Sequence, residues 1–143
     1  MTVMTQPGDA TAAHAGAVSE AKLAIGAWFA CYNRRDLPAM RQLMHVPFVE
    51  MRGSRINVIE ERNQYDPGFP SDSAGREVYV SPVAVRVCQH SADDVVFEIE
   101  SNHILADRRP IGSFSGLYFM VKKNGRWGLR AISLHDGATD GTL

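Results

Sequence analysis

The last third of the chain consists largely of apolar runs of strand length, separated by short groups of polar and turn residues. This pattern predicts three consecutive antiparallel strands over residues 95–106, 111–123 and 126–135. Between the second and third lies Asn124-Gly125, a strong hairpin signal because a type I′ turn needs positive φ at both central residues. We expect the remaining elements to pack around this three-stranded unit.

The Asn124-Gly125 turn also predicts which side chains share a face of the sheet. With Lys123 opposite Arg126, alternation divides the residues of the hairpin between two surfaces. The first surface, face one, carries Phe114, Gly116, Tyr118, Met120, Leu129, Ala131, Ser133 and His135. The second, face two, carries Leu117, Phe119, Val121, Ile132 and Leu134. Both sets are largely apolar, so we expect both faces to be covered.

The length of the turn within residues 107–110 decides how the preceding strand is oriented. A turn of even length places five residues on face one, namely Val95, Phe97, Ile99, Ser101 and His103. Glu98 and Glu100 then lie on face two, whereas a three-residue turn would reverse the faces. The even turn is favoured because it keeps the apolar set continuous with Tyr118 and Met120.

The N-terminal part of the chain shows helical spacing instead. A first helix buries Val18, Ala21, Ile25, Trp28, Phe29 and Tyr32. Its start stays open, because Asp9, Thr11 and Ser19 are all suitable caps. Asp36 caps a second helix, which has Pro38 in its first turn and an apolar stripe of Met40, Leu43 and Met44.

The middle of the chain predicts shorter elements. They are a hairpin of residues 46–52 and 55–59, a short helix over 60–65, a loop over 66–75 and a strand over 77–89. Pro82 in that last strand indicates an edge position or a bulge. We therefore expect a lead-in over residues 1–17, one domain over 18–136 and a polar tail over 137–143. Helices on one side of an antiparallel sheet define an α+β fold.

Charge and composition narrow the function classes. The formal net charge of −1 and the absence of a basic cluster argue against a nucleic-acid partner. We see no signal peptide and no apolar run that would cross a membrane, so we expect a cytoplasmic protein. Cys31 and Cys88 are expected as reduced thiols. No histidine or cysteine spacing typical of metal ligands and no phosphate-binding glycine loop occurs, so neither a metal nor a cofactor is expected.

Two motifs carry a family resemblance. The first helix ends in Trp28…Tyr32-Asn33-Arg34-Arg35-Asp36 and is followed by His45-Val46-Pro47-Phe48, while the last hairpin reads Lys123-Asn124-Gly125-Arg126-Trp127. With the order of elements, they make residues 18–136 similar to the nuclear-transport-factor-2-like superfamily. Within it, the chain most resembles SnoaL-like proteins and bacterial members of no assigned function. The resemblance implies a cystatin-like cone, in which a curved sheet wraps around the helices and encloses a pocket.

The superfamily includes ketosteroid isomerase, scytalone dehydratase, polyketide cyclases and many non-catalytic modules, so the resemblance implies little about function. In the isomerase a tyrosine and a protonated aspartate hold an oxyanion while another aspartate is the base. Tyr32 lies roughly where that tyrosine belongs. Neither aspartate has a counterpart on the final strands, so the isomerase chemistry is not carried over.

Several residues are candidates for the pocket. His103 ends an apolar row and is either a proton-transfer residue or a satisfied residue at the rim. The hydroxyls of Tyr32 and Tyr118 either hold a ligand oxygen or bond locally within the core. Glu50 is the best acidic candidate, although its apolar neighbours favour a solvent-facing side chain. The other candidates for the pocket are Trp28, Phe48, Ser133 and His135.

These residues predict a protein that binds a small, largely apolar molecule. Acid–base isomerase, cyclase or hydratase chemistry would use Tyr32 and His103. The alternative is a non-catalytic ligand-binding or dimerisation module. A homodimer is expected through face two, since Leu117, Phe119, Val121, Ile132 and Leu134 form an apolar patch too large for a typical monomer. The resemblance implies the same arrangement.

Overall fold

The computed structural model describes residues 7–136, with side chains placed for residues 14–135. Its helices are α1 (Pro7–Asn33) and α2 (Leu37–Gln42). Its strands are β1 (Met44–Arg52), β2 (Arg55–Ile59), β3 (Tyr79–His90), β4 (Asp94–Ile104), β5 (Pro110–Lys123) and β6 (Arg126–Asp136). A short 3-10 helix, Arg62–Gln64, follows β2.

The six strands form one curved, open sheet in the order β2-β1-β6-β5-β4-β3. Helix α1 packs across one surface of this sheet, which confirms the α+β class and the cone-like, cystatin-like architecture. The predicted wholly antiparallel sheet is wrong in one respect, because β1 runs parallel to β6 while the other pairs are antiparallel. β3 is an edge strand with a register shift between Pro82 and Ala84. Pro82 therefore lies both on an edge strand and next to a bulge, the two positions that the sequence indicated for it.

The apolar stripe of α1 forms the core together with face one. Ala21, Ile25 and Trp28 are buried, and they pack in one cluster with residues of β4, β5 and β6. The helix already includes Asp9, Thr11 and Ser19, so none of the three candidate caps is its first residue. No helix in the described part of the chain is long and apolar enough to cross a membrane.

The motif at the end of α1 has a structural explanation. The Asn33 amide donates to the Val80 carbonyl at 2.8 Å and accepts from the Val80 amide at 2.9 Å, which joins the helix to β3. Arg35 follows with a positive φ of 57°. The Asp36 carboxylate then accepts a hydrogen bond from the Ala39 amide at 3.2 Å and caps α2. Helix α2 is shorter than predicted, because it ends at Gln42 and Met44 already belongs to β1.

A β-bulge at Arg130 changes the predicted faces of β6. Lys123 pairs with Arg126 and Met120 with Leu129 as predicted, but Phe119 pairs with Ala131. Because a shift of one residue reverses alternation, Ile132 and Leu134 join face one, whereas Ser133 and His135 move to face two. Ala131, which was predicted on face one, likewise lies on face two beside Phe119, so the predicted positions of these five residues are wrong. Burial of Ile132, which is 4% exposed, explains why the bulged register is stable.

The turn between β4 and β5 reaches the predicted faces by a different route. Leu105 and Arg109 are joined by a backbone hydrogen bond across a three-residue turn, which alone would reverse the faces. Ile104 pairs with Pro110 but His103 pairs with Gly112, so Ile111 is bulged out and restores the phase. Phe97, Ile99 and His103 consequently lie on face one, as expected.

His45 of β1 is a buried structural histidine. Its Nε2 donates to the Arg126 carbonyl at 2.9 Å, and its Nδ1 can accept from the Arg126 guanidinium at 3.3 Å, so the neutral ring satisfies both contacts. Burial lowers the pKa of His45 below its usual value.

We expect the free energy of unfolding to fall as the pH drops below about 6.5, because the unfolded chain then binds a proton that folded His45 resists. One such group changes the stability by at most about 1.4 kcal/mol per pH unit. Urea unfolding of wild type and His45→Gln at pH 8 and pH 5.5 measures the effect. A loss between these pH values that is the same in both proteins would contradict it.

Candidate functional site

A partly open cavity of about 100 Å³ lies between α1, the inner side of the sheet and the residues that follow the 3-10 helix. Helix α1 and the strands β1, β3, β4, β5 and β6 supply its walls, and Pro67 closes one side. Its lining comprises Trp28, Phe29, Tyr32, Glu50, Arg52, Tyr65, Pro67, Val80, His103, Phe114, Tyr118, Ile132 and Leu134.

Five of the predicted pocket residues line this cavity, namely Trp28, Tyr32, Glu50, His103 and Tyr118. Phe48 is fully buried behind the lining, with its ring centroid 6.4 Å from that of Trp28. Ser133 and His135 do not line it, because the Arg130 bulge turns them to face two. Ile132 and Leu134 line the cavity where Ser133 and His135 were predicted to do so. The part of the wall that β6 supplies is therefore apolar instead of polar.

Glu50 reaches the cavity because β1 alternates in the opposite sense from the one expected. Phe48 and Arg52 share its side of the strand, whereas Val49 and Met51 lie on face two. Removal from water raises the pKa of Glu50, and the guanidinium groups of Arg52 and Arg55 oppose this shift without cancelling it. A carboxylate in this state is a stronger base than one in water.

Three tyrosine side chains line the same cavity as this carboxylate. Burial raises the pKa of Tyr65 and Tyr118, which are 3% and 2% exposed, and it also raises that of Tyr32. The negative charge of Glu50 contributes to all three shifts. The hydroxyls therefore remain protonated at neutral pH and can act as hydrogen-bond donors.

Tyr65 was not foreseen as a site residue. It follows the 3-10 helix directly and packs its ring against Trp28 and Phe48, with centroids 5.7 and 5.5 Å apart. A tyrosine at the end of one short turn shows no periodic pattern, so nothing local indicated its direction. Its carbonyl accepts a hydrogen bond from Arg41 at 3.0 Å, which fixes the backbone at this point.

His103 lines the cavity from β4. Its ring stacks on Phe114 with centroids 4.6 Å apart and an interplanar angle of 29°. Gly112 is its cross-strand neighbour, and the position of a Cβ at Gly112 would still be 3.9 Å from the imidazole. The half-buried ring is therefore held by the phenyl face of Phe114 at the cavity wall.

Gly116 makes room for the cavity at the centre of β5. A Cβ there would lie 2.9 Å from Cε1 of Tyr118 and 3.0 Å from Cδ2 of Leu134. Because these separations are shorter than ordinary contacts, a larger residue would displace one of the two lining side chains. The absence of a side chain at this position thus sets where the Tyr118 ring lies.

The lining combines one hydrogen-bond acceptor of raised pKa with several donors. The Glu50 carboxylate can accept a proton from a bound molecule, and the Tyr32, Tyr65 and Tyr118 hydroxyls can donate to an oxygen on it. Such a set suits proton transfer next to a carbonyl group, in which negative charge develops on the oxygen.

No protein-family model and no curated protein matches the chain. Solved structures do match. A protein of unknown function with a cystatin-like fold from Nostoc punctiforme is 14% identical over 87% of this chain and 93% of its own, with a TM-score of 0.67. An NTF2-like protein of unknown function from Pseudomonas putida is also 14% identical, over 85% and 87%, with a TM-score of 0.68.

A third similar structure, a putative ketosteroid isomerase from Shewanella frigidimarina, is 13% identical over 80% of this chain and 94% of its own, with a TM-score of 0.60. Identities at this level establish a shared fold and leave the function open. They agree with the curved sheet, the covering helix and the resemblance noted in the sequence. The chain therefore has the cystatin-like fold of the NTF2-like and ketosteroid-isomerase-like proteins.

Proposed function

We propose that the cavity binds a small carbonyl compound and that Glu50 removes a proton from the carbon next to that carbonyl and returns it to the enolate two carbons further along. The observation that carries this proposal is the half-buried Glu50 carboxylate in one cavity with three tyrosine side chains. Tyr32, Tyr65 and Tyr118 are the candidates to donate hydrogen bonds to the oxygen as an enolate forms.

His103, which the sequence suggested for proton transfer, is the secondary candidate for that role. Its imidazole lines the cavity, so it is the second group that could exchange a proton with a bound ligand. Glu50 is preferred as the base because it lines the same cavity as the three tyrosines. Its charge contributes to the raised pKa of each of them, so the base lies near all the groups that could hold the oxygen.

The size of the cavity limits the ligand. A cavity of about 150 Å³ in another protein holds benzene, and the present one measures about 100 Å³. Because the cavity is partly open, we infer that a single six-membered ring with one edge at the opening, or a chain of similar size, is the largest group that enters without rearrangement. A steroid is therefore not proposed, and the expected largely apolar ligand becomes a small one with a carbonyl oxygen.

Isomerisation of cyclohex-3-en-1-one to its conjugated isomer tests the proposal, because the product absorbs in the ultraviolet and the reaction needs one proton removed and one returned. We expect wild type to accelerate it above buffer and above a heat-inactivated sample. The rate should decline as the pH falls through the raised pKa of Glu50, since the base must be ionised. If neither isomerisation nor exchange of α-protons in D₂O is accelerated, the catalytic proposal fails.

A second candidate function, dimerisation, is supported by an apolar row across face two. The row crosses five adjacent strands, and each of its residues is paired with the next one on the neighbouring strand. Its members are Val58, Val49, Ala131, Phe119 and Val96. Ile56 and Met51 lie beside it, and Ile56 is 67% exposed. We propose that a second copy of the chain covers this row about a two-fold axis, with Leu117 and Val121 at its border and without Ile132 and Leu134.

Light scattering at micromolar concentration is expected to give twice the chain mass of 15.8 kDa. Phe119→Lys should give the monomer mass, because it places a charge at the centre of the row. Leu23→Lys is the matched control, since Leu23 is 78% exposed on α1, away from the sheet. A monomer in wild type, or equal masses for both variants, would refute the proposed dimer.

A further inference from the structure

The loop between the 3-10 helix and β3 is a folded unit held by its own side chains. The Asp72 carboxylate accepts hydrogen bonds from the Ala74 amide at 3.0 Å and the Arg76 amide at 2.8 Å. It also forms an ion pair with the Arg76 guanidinium at 2.8 Å. Ser71 and Glu77 form an isolated β-bridge at the base of this turn. These internal contacts hold residues 66–78, called the loop below, together as one unit.

Two arginines tie this loop to the helical part of the protein. Arg41 of α2 bonds to the Tyr65 carbonyl, just before the loop begins. Arg35 holds the other end, because its Nη2 donates to the Val78 carbonyl at 2.8 Å and to the Pro70 carbonyl at 3.4 Å. The Arg35 guanidinium also lies 4.6 Å from the ring centroid of Tyr79 and 5.4 Å from that of Phe69.

The loop contacts the cavity directly. Pro67 is part of the lining, and the Phe69 ring packs edge-on against Tyr32 with centroids 5.3 Å apart. Tyr32 is one of the proposed oxygen-holding groups. The contacts therefore connect Arg35, through Phe69, to a side chain that lines the cavity.

The backbone of Arg35 supports a role for its side chain. Its φ of 57° lies in the left-handed region, where glycine or asparagine is more easily accommodated after a helix end. A residue with a long side chain is disfavoured there by the backbone. The two carbonyl contacts and two ring contacts of its guanidinium offset that disadvantage.

We propose that Arg35 is a positioning residue, which holds residues 66–78 as the outer wall of the cavity and thereby sets the size of ligand that enters. The chemical nature of that ligand rests on the proposed function, but the wall itself does not. Release of Arg35 should let Pro67 and Phe69 move away from Tyr32, so that the cavity becomes more accessible and accepts larger rings.

Quenching of Trp28 fluorescence by acrylamide tests this proposal without any substrate. The chain has two tryptophans, and Trp127→Phe leaves Trp28, which lines the cavity and is 3% exposed. In that background, Arg35→Asn should raise the quenching constant about twofold or more, because asparagine tolerates positive φ and only the long side chain is lost. Arg34→Asn is the matched control, since the adjacent Arg34 is exposed and its guanidinium contacts Cys31.

Hydrogen exchange should show faster exchange over residues 66–78 in Arg35→Asn, with α1 unchanged. If Arg35→Asn does not fold, Arg35→Lys replaces it, because lysine keeps the charge but lacks the planar fork and is expected to raise quenching less. Equal quenching and equal loop exchange in the Arg35 and Arg34 variants would overturn the proposal.

A comparison of ligands connects the wall to specificity. Phenol and 1-naphthol have one and two rings, and their binding can be followed by the same Trp28 fluorescence. We expect Arg35→Asn to improve the affinity for 1-naphthol relative to phenol, with no such change in Arg34→Asn. An unchanged ratio would refute the effect on ligand size even if the isomerisation proposal holds. Failure of isomerisation with a changed ratio would refute only the chemistry.

Discussion

Glu50→Gln is expected to isomerise cyclohex-3-en-1-one at least about a hundredfold more slowly than wild type. Glutamine keeps the shape of the side chain and its place in the cavity, but its amide cannot accept the proton. The loss should appear in kcat, because the tyrosine hydroxyls that would hold the ketone oxygen remain. Steady-state rates measured above the raised pKa of Glu50 provide the comparison.

The same substitution should leave the melting temperature unchanged or raise it. Folding removes the Glu50 carboxylate from water, which is why its pKa is raised, so the ionised form opposes folding at neutral pH. A neutral amide lacks this disadvantage. Lower activity with equal or greater stability is the pattern of a functional residue, whereas a structural residue would lose both.

Glu60→Gln is the matched control, because Glu60 is exposed and lies outside the cavity lining. It should keep the wild-type rate. A wild-type rate in Glu50→Gln would show that Glu50 is not the base. His103 would then be the remaining candidate, and His103→Gln should lower the isomerisation rate more than Glu50→Gln does.

Local signals predicted the parts of the fold that depend on local geometry. Asn124 and Gly125 have φ values of 55° and 75°, as a type I′ turn requires, so the pairing next to the turn is correct. The stripe of α1 was predicted correctly because a helix has a fixed period. Both successes need only a few neighbouring residues.

The bulge at Arg130 could not be placed by alternation, since a register argument continues the same period without limit. A sign of it was present in the sequence. The large apolar residues of β6 are Trp127, Leu129, Ile132 and Leu134, whose spacing changes phase after Leu129. One inserted residue brings all four to the same face, and the buried area of Ile132 favours that arrangement over an unbroken ladder.

The acidic residue of the candidate site was misjudged for a different reason. Glu50 lies between apolar neighbours, and an isolated strand of that composition would turn its charge to water. In the sheet, Val49 and Met51 instead belong to the apolar part of face two, which leaves Glu50 with Phe48 on face one. Such an outcome depends on the surface that the neighbouring strands present, so it follows from the tertiary structure alone.

Gly128→Ala is expected to destabilise the protein by about 1–3 kcal/mol. A Cβ at this position would lie 2.7 Å from Cδ2 and 2.9 Å from Nε2 of the His45 ring. That ring is 3% exposed and is bonded on both nitrogens to Arg126, so it cannot move aside without losing hydrogen bonds. Urea unfolding at pH 8, where His45 is neutral, measures the loss.

Gly112→Ala is the control for this substitution, because both glycines lie within strands and the nearest atom to a Cβ at Gly112 is 3.9 Å away. We expect it to change the stability by less than about 1 kcal/mol, since alanine also restricts the unfolded chain. In His45→Ala the added cost of Gly128→Ala should largely disappear, because the ring that obstructs the methyl group is gone. Equal costs of Gly128→Ala with and without His45 would show that the close approach of these two residues is not what requires a glycine.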